Sequence, residues 1–180
     1  MTGAAGGGGG DGLTIRPAVE ADVPVILRLI RGIAEYEHLS HEVEATEALI
    51  RRHGFGPRPI FEALIAERDR GEGRQAVGFA LYFFTFSTFK TLPTLYLEDL
   101  FVLPEERRGG IGRRLLAELA RIAVDRGCGR MEWSVLDWNA PARDFYFKIG
   151  ATPMDEWTVF RMTPDAFGRL AEEAGSARGR

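Results

Sequence analysis

Leu97-Glu98-Asp99-Leu100-Phe101-Val102-Leu103, followed by Pro104-Glu105-Glu106-Arg107-Arg108 and then Gly109-Gly110-Ile111-Gly112, is the stretch on which the fold turns. It reads as a strand, a short loop, a glycine-rich turn and the start of a helix. Gly109, Gly110 and Gly112 leave the backbone N–H groups unobstructed. The helix opening near Ile111 points its unpaired N–H groups and the positive end of its dipole at the same place. Such a turn is an anion cradle, and its preferred guest is a phosphate or pyrophosphate. Arg107, Arg108, Arg113 and Arg114 surround it with positive charge. A Walker loop would need a lysine followed by serine or threonine after its second glycine, and none is present. A dinucleotide loop would need G-x-G-x-x-G after the first strand of a βαβ unit, and this spacing differs. The alternative is a glycine-rich turn that binds nothing, which the convergence of arginines, glycines and helix start disfavours.

Downstream, Ile111, Leu115, Leu119 and Ile122 mark an amphipathic helix ending near Gly127. Residues 131–136 then read as a strand, and 140–149 as a helix with Asn139 as N-cap. Residues 157–162 read as a last strand, and Thr163-Pro164 opens a last helix. Upstream, 94–103 is a strand interrupted by two carboxylates, Glu98 and Asp99. Residues 87–93 form a loop. The apolar run 76–86 is too continuous for a one-sided surface strand and predicts a buried central one. Residues 69–74 are a polar turn after a strand at 61–67. Ile26, Leu29, Ile30 and Ile33 have the spacing of a helix face, and a weaker helix runs over 42–53 to Gly54. A short strand at 13–17 comes first. This order does not alternate regularly, which disfavours a doubly wound sheet and favours a mixed sheet with helices on both faces.

The chain has 180 residues, one cysteine (Cys128) and a net charge of −3 from 23 basic and 26 acidic side chains. One cysteine excludes an intrachain disulfide. A slightly acidic chain is a poor non-specific nucleic-acid binder. The histidines have no zinc-like spacing, so no metal is expected. No apolar run is long enough to span a membrane, and the beginning lacks the regions of a signal peptide. The expected location is therefore cytoplasmic. Gly6 to Gly10 are consecutive glycines, so residues 1–12 are expected to be a disordered tail. Residues 13–174 form the expected single domain, and 175–180 an expected frayed end.

The cradle resembles the signature of the GNAT superfamily of acyl-CoA-dependent N-acetyltransferases, Gln/Arg-x-x-Gly-x-Gly/Ala at a helix start. Here it reads Arg107-Arg108-Gly109-Gly110-Ile111-Gly112. The resemblance extends over nearly all of 13–174. Further matches are Tyr96-Leu97-Glu98-Asp99, Asp137-Trp138-Asn139, Phe145-Tyr146 ahead of Gly150-Ala151, Ala34-Glu35-Tyr36-Glu37 and Gly54-Phe55-Gly56. Together they look like the diamine acetyltransferase branch, which includes spermidine/spermine acetyltransferase and its thialysine-acetylating relative. The resemblance implies an α/β (α+β) fold whose mixed, mostly antiparallel sheet is flanked by helices. A V-shaped splay in that sheet would bind the acyl-CoA. Acetyl-CoA would be the co-substrate, its pantetheine arm pairing with the backbone of Phe101 and Val102. Its pyrophosphate would rest on the amides of Arg108, Gly109, Gly110, Ile111 and Gly112, with Arg107 and Arg113 adding charge. Asn139 would border the pantetheine.

An amine must be neutral to attack a thioester. A lysine-like amine has a pKa near 10.4, so deprotonation at neutrality costs about 4.6 kcal/mol. A positioned base is therefore useful, and so is an acid for the departing thiolate. Glu98 and Asp99 are consecutive on a strand, so simple alternation points them to opposite faces. From the residues alone, one of them could be paired with an arginine inside the fold. By resemblance, Glu98 is the candidate base, through water, and Asp99 holds the cationic substrate. Tyr146 reads from spacing as core filler beside Phe145 and Phe147; by resemblance it donates the proton to the thiolate. Glu35 and Glu37 read as a solvated helix end, and by resemblance they border the amine entrance.

One departure stands out. The spermidine/spermine enzymes carry an acidic residue in the loop where this chain reads Phe86-Ser87-Thr88-Phe89-Lys90. That favours small amino-acid-like amines over polyamines, provided Lys90 points inward. The leading reading is acetyl transfer to a primary amine of a small cationic molecule, thialysine-like or a di- or polyamine. The alternatives are a protein or peptide N-acetyltransferase, and a non-catalytic acyl-CoA-binding sensor, against which Glu98 and Tyr146 together argue. The resemblance also implies a homodimer, with 157–162 near the partner.

Overall fold

The computed structural model describes residues 12–71 and 73–177. The glycine-rich tail up to Asp11 lies outside the described residues, as do 178–180. The chain falls into two compact units, one through Ser134 and one from Val135.

The first unit is built on a five-stranded sheet in sequence order: β1 (Leu13–Pro17), β2 (Glu62–Asp69), β3 (Arg74–Ser87), β4 (Leu92–Val102) and β5 (Arg130–Trp133). The pairs from β1 to β4 are antiparallel, and β4 and β5 are parallel. A parallel pair needs a crossover, and helix α3 (Ile111–Asp125) supplies it. The expected mixed, mostly antiparallel sheet is thus present.

Helices α1 (Val23–Tyr36) and α2 (Glu47–Phe55) pack on one face of the sheet. Val23, Ile26, Leu27 and Leu29 of α1 and Ile50 of α2 share a buried cluster with Ala63, Ile65, Phe79, Leu81 and Phe101. The period-2 pattern of strands sends Leu64, Ala66 and Ala80 to the opposite face, where α3 buries Ile111, Leu115, Leu116 and Leu119. Each fully buried Leu, Ile or Phe contributes about 1.5–3 kcal/mol from apolar burial. The expectation of a two-sided central strand holds for Val77–Tyr82, whereas Thr85 and Phe86 farther along β3 are exposed.

Several boundaries differ from expectation for local reasons. Helix α2 starts at Glu47, not near residue 42, because Thr46 is extended and its hydroxyl caps Leu49 N at 3.2 Å. Ser40–Glu42 is instead a separate 3-10 turn. Strand pairing continues to Ser87 and restarts at Leu92, which shortens the expected 87–93 loop to 88–91. Strand β5 ends at Trp133, short of Leu136.

The second unit contains α4 (Ala140–Lys148) and α5 (Pro164–Ala177). Asn139 caps α4 as expected, its Oδ1 accepting from Ala142 N at 3.3 Å. Helix α5 opens on Pro164 and runs through Ala177, past Gly175. The expected strand at 157–162 is not formed. A strand is held by its ladder, and no described strand pairs with this segment. It is irregular, with Trp157 N bonded back to Met154 O at 3.1 Å, and Trp157, Val159, Phe160 and Met162 are exposed.

Candidate active site

At the end of β4 a 3-10 turn (Pro104–Glu106) leads into the arginine and glycine turn. Arg108 and Gly110 both take left-handed backbone angles, with φ of 68° and 78°. Gly110 is the N-cap of α3, and no side chain caps this helix end. The first helical bond runs from Arg114 N to Gly110 O at 3.0 Å, so the amides of Ile111, Gly112 and Arg113 precede it. A Cβ on Gly110 or Gly112 would meet nothing within 4 Å, so open space lies beside these amides. A pyrophosphate fits such a nest of N–H groups at a helix start.

The four arginines divide the work. Arg107 donates from Nε to Val102 O at 3.0 Å. Its guanidinium lies 4.3 Å from the Tyr36 ring centre and 5.6 Å from that of Phe101. Its backbone belongs to the cradle, but its charge is directed at α1 and β4. Arg114 donates to Leu13 O at 3.2 Å and ties α3 to β1. Arg108 and Arg113 are exposed.

The β4–β5 ladder runs from Thr94–Arg130 to Leu97–Trp133 and stops. From Glu98 onward the β5-side edge of β4 has no strand partner among the described residues. This is where the sheet opens. Leu103 N bonds to Val77 O at 2.9 Å, so by alternation Phe101 also turns its N–H and C=O toward β3. Leu100 and Val102 therefore present theirs to the open edge, where a pantetheine amide could pair; the Val102 C=O already accepts from Arg107 Nε, so its N–H and the two groups of Leu100 are the ones on offer. The Phe101 ring is buried instead against α1.

Glu98 sits on a bulge. Asp99 faces Leu81 and Leu97 faces Tyr82, leaving Glu98 as the unpaired extra residue. Simple alternation therefore does not decide where the two carboxylates point. Glu98 is exposed and Asp99 half-buried. Burial raises the Asp99 carboxyl to about 6, and the charges of Glu98 and Glu37 add to the rise. Glu37, the C-cap of α1, is itself raised by burial. The structure thus brings Glu37, Glu98 and Asp99 into one electrostatic group beside the open edge. Glu35 lines a cleft of about 300 Å³ with Arg31, Ser40 and Val43. A larger cleft, about 470 Å³, shares no lining residue with the cradle or the carboxylates.

Lys90 does not join this group within the chain. Its stem lies against Gly129, where a Cβ would stand 3.1 Å from Lys90 Cδ. Along β4, Leu92 and Glu98 are about 20 Å apart, at ~3.3 Å per residue. The inward-pointing Lys90 on which the loop argument for small amines was conditional is therefore not found in this chain.

Asn139 and Tyr146 belong to the second unit. Asn139 is buried at the start of α4, and Tyr146 lies on the same helix with its ring 5.5 Å from that of Phe145. Gly150, with φ of 91°, follows the helix end, and Ala151 N bonds to Tyr146 O at 3.0 Å.

Residues whose roles the sequence does not reveal include Gly32 and Tyr36, which seat α1 on Phe101 and Arg107, and Leu100 on the open edge. Their roles depend on packing between distant segments, and no local pattern signals them. No cluster of metal-ligating side chains occurs among the described residues, and no helix there is long and apolar enough to cross a membrane.

Comparison with known proteins agrees with this geometry. Residues 26–151 match the model of the Acetyltransferase (GNAT) family. The chain is 42% identical over 164 residues to a thialysine N-epsilon-acetyltransferase of Bos taurus, covering 87% of this chain and 96% of that protein. It is 32% identical to an L-ornithine N5-acetyltransferase of Arabidopsis thaliana, covering 84% of this chain and 85% of that one. Among solved structures, an integron cassette protein from the mobile metagenome of V. cholerae superposes with a TM-score of 0.73 at 25% identity, covering 90% of this chain and 99% of the other. An anion cradle at the start of α3, an open β4 edge beside it and these matches together make the chain a member of the GNAT acetyltransferase family, an enzyme that transfers acetyl from acetyl-CoA to an amine.

Proposed function

We propose that the acceptor is the terminal primary amine of a small cationic amino acid of the thialysine or ornithine kind. The observation that carries this reading is the group of Glu37, Glu98 and Asp99 beside the open edge of β4. Three carboxylates there attract an ammonium, and relatives that match over most of the chain's length include proteins named for thialysine and for L-ornithine.

Acetyl-CoA supplies an activated acetyl group on sulfur. The amides of the cradle and Arg108 and Arg113 hold its phosphates, Leu100 and Val102 offer backbone to its pantetheine, and Asn139 borders it. Asp99 holds the substrate ammonium. Glu98 takes the amine proton through water, which leaves the nitrogen lone pair free to attack. The new C–N bond forms as the C–S bond breaks; Tyr146 gives its proton to the departing sulfur and is restored, through water, by the second proton that the acylated nitrogen sheds. Glu35 and Glu37 draw the cation toward the entrance.

The working form is a homodimer in a reducing, cytoplasmic compartment. The exposed Trp157, Val159, Phe160 and Met162 support a partner at that segment, and the lone free Cys128 suits the compartment. The test is a comparison of kcat/KM for thialysine, ornithine, putrescine, spermidine and spermine at fixed ionic strength. The amino acids are expected to lead by at least about tenfold, a difference of roughly 1.4 kcal/mol in transition-state binding. A clear preference for spermine would overturn the reading.

A further inference from the structure

Glu106 stands directly before the cradle, and its side chain is only 9% exposed. Its Oε2 accepts from Arg68 Nε at 3.0 Å, and its Oε1 is ion-paired with Arg70. Both arginines come from the end of β2, 38 and 36 residues earlier in the chain. Arg68 also reaches the cradle itself: a Cβ on Gly109 would stand 3.9 Å from Arg68 Nη2. The backbone of Glu106 is fixed as well, its N–H bonded to Leu103 O at 2.9 Å.

Tying a loop to a strand needs one ion pair. Here one carboxylate gathers two guanidiniums beside backbone amides that already favour an anion. A carboxylate so placed would repel phosphate if unpaired; the two arginines offset its charge, and Arg68 sets guanidinium N–H donors beside Gly109. We infer that Glu106, Arg68 and Arg70 form a positioning clamp for the cradle: Glu106 holds Arg68 against Gly109, sets the height of the turn and tunes its affinity for the diphosphate of CoA. This rests on the reading of the turn as the CoA phosphate site. None of the three residues belongs to the glycine-rich signature, and the clamp is a property of this chain's own β2 end.

The clamp is tested with Glu106→Gln, Arg68→Met and Arg70→Gln in the full chain. Isothermal calorimetry with CoA reads affinity directly. Steady-state kinetics compares acetyl-CoA with S-acetylpantetheine, a donor that lacks the diphosphate and nucleoside. Glu106→Gln and Arg68→Met are expected to weaken CoA binding about tenfold and to raise KM for acetyl-CoA in proportion. The kcat and the KM for the amine should change less than about threefold, and kcat/KM with S-acetylpantetheine should stay near wild type. Arg70→Gln, at an exposed guanidinium, should give a smaller loss in the same direction and serves if the buried variants fail to fold. Unchanged CoA affinity in the folded variants would overturn the clamp, as would an equal loss with S-acetylpantetheine, which would make the three residues scaffold only. Calorimetry reads CoA whether or not an amine is acetylated, so failure of the amine assignment and failure of the clamp show separately.

Discussion

Gly32 on α1 lies flat against the ring of Phe101 on β4: a Cβ at Gly32 would stand 2.7 Å from Phe101 Cε1. The helix approaches the strand this closely because glycine has no side chain there. One turn later Tyr36 lies under Arg107, whose guanidinium also faces Phe101. The end of α1, with Glu37, is thereby held beside Asp99. Gly32→Ala gains about 1 kcal/mol of helix propensity but forces a buried ring to move, at a cost of about 1–3 kcal/mol. The expected net result is a melting temperature a few degrees lower and a severalfold higher KM for the amine, because Glu37 moves with the helix. A variant that melts at or above wild type with normal KM would show that the contact relaxes freely.

Asp99 makes a prediction of opposite sign for stability and activity. Its folded pKa, about 6, lies above the ordinary aspartate value near 3.9. The folded state therefore binds the proton more tightly, and ionising Asp99 destabilises the fold as pH rises from about 4 to 6. Asp99→Asn should stabilise the protein at pH 7.5 by about 1–2 kcal/mol after allowance for solvent screening, and by nothing below about pH 4. Thermal melts at the two pH values check this. The same variant should lose amine affinity, and wild-type kcat/KM should fall on the acid side near pH 6. A melting difference that does not depend on pH would remove Asp99 as the titrating group.

How much of this was readable in the residues follows from how local each feature is. The cradle is a run of neighbours, Arg107 to Gly112, and its chemistry needs only their order. The Asn139 cap and the stripe of Ile26, Leu29 and Ile33 are equally local. The bulge at Glu98 is a fact about register between β3 and β4, which neither strand carries alone. The Arg68–Glu106 pair spans 38 residues and has no motif. Lys90 was legible as a charge in a loop, but which end of the sheet that loop occupies depends on the β3–β4 pairing. The segment 157–162 has the alternation of a strand, yet a strand also needs a neighbour, and none is described beside it.

Arg108 carries a backbone cost that its proposed phosphate role would offset. A non-glycine residue at φ 68° is held in a region that costs about 1–2 kcal/mol. Arg108→Gly should relieve that strain and, after the added freedom of the unfolded chain, stabilise the fold by up to about 1 kcal/mol. It should also weaken CoA binding severalfold and flatten the dependence of that affinity on salt, since one exposed cation is lost. Denaturant melts and calorimetry at two ionic strengths test both halves. Stabilisation without loss of affinity would leave Arg108 with no phosphate role.

Tyr146 separates chemistry from binding. In the proposed mechanism the phenol has work to do only as the sulfur leaves, whereas the ring can serve packing beside Phe145 in either case. Tyr146→Phe keeps the ring and removes the proton donor. Turnover should fall by about 10²–10⁴-fold, the range of a general acid, while CoA affinity stays within about twofold. If the lost group acts on the leaving sulfur as proposed, a donor with a more acidic thiol should recover part of the loss, and acetylated aryl thiols of graded acidity provide the series. A steeper dependence of rate on thiol acidity in the variant than in wild type is the expected signature. If the variant turns over at the wild-type rate with the chemical step limiting, or if the two slopes coincide, Tyr146 is packing and the thiolate takes its proton from elsewhere.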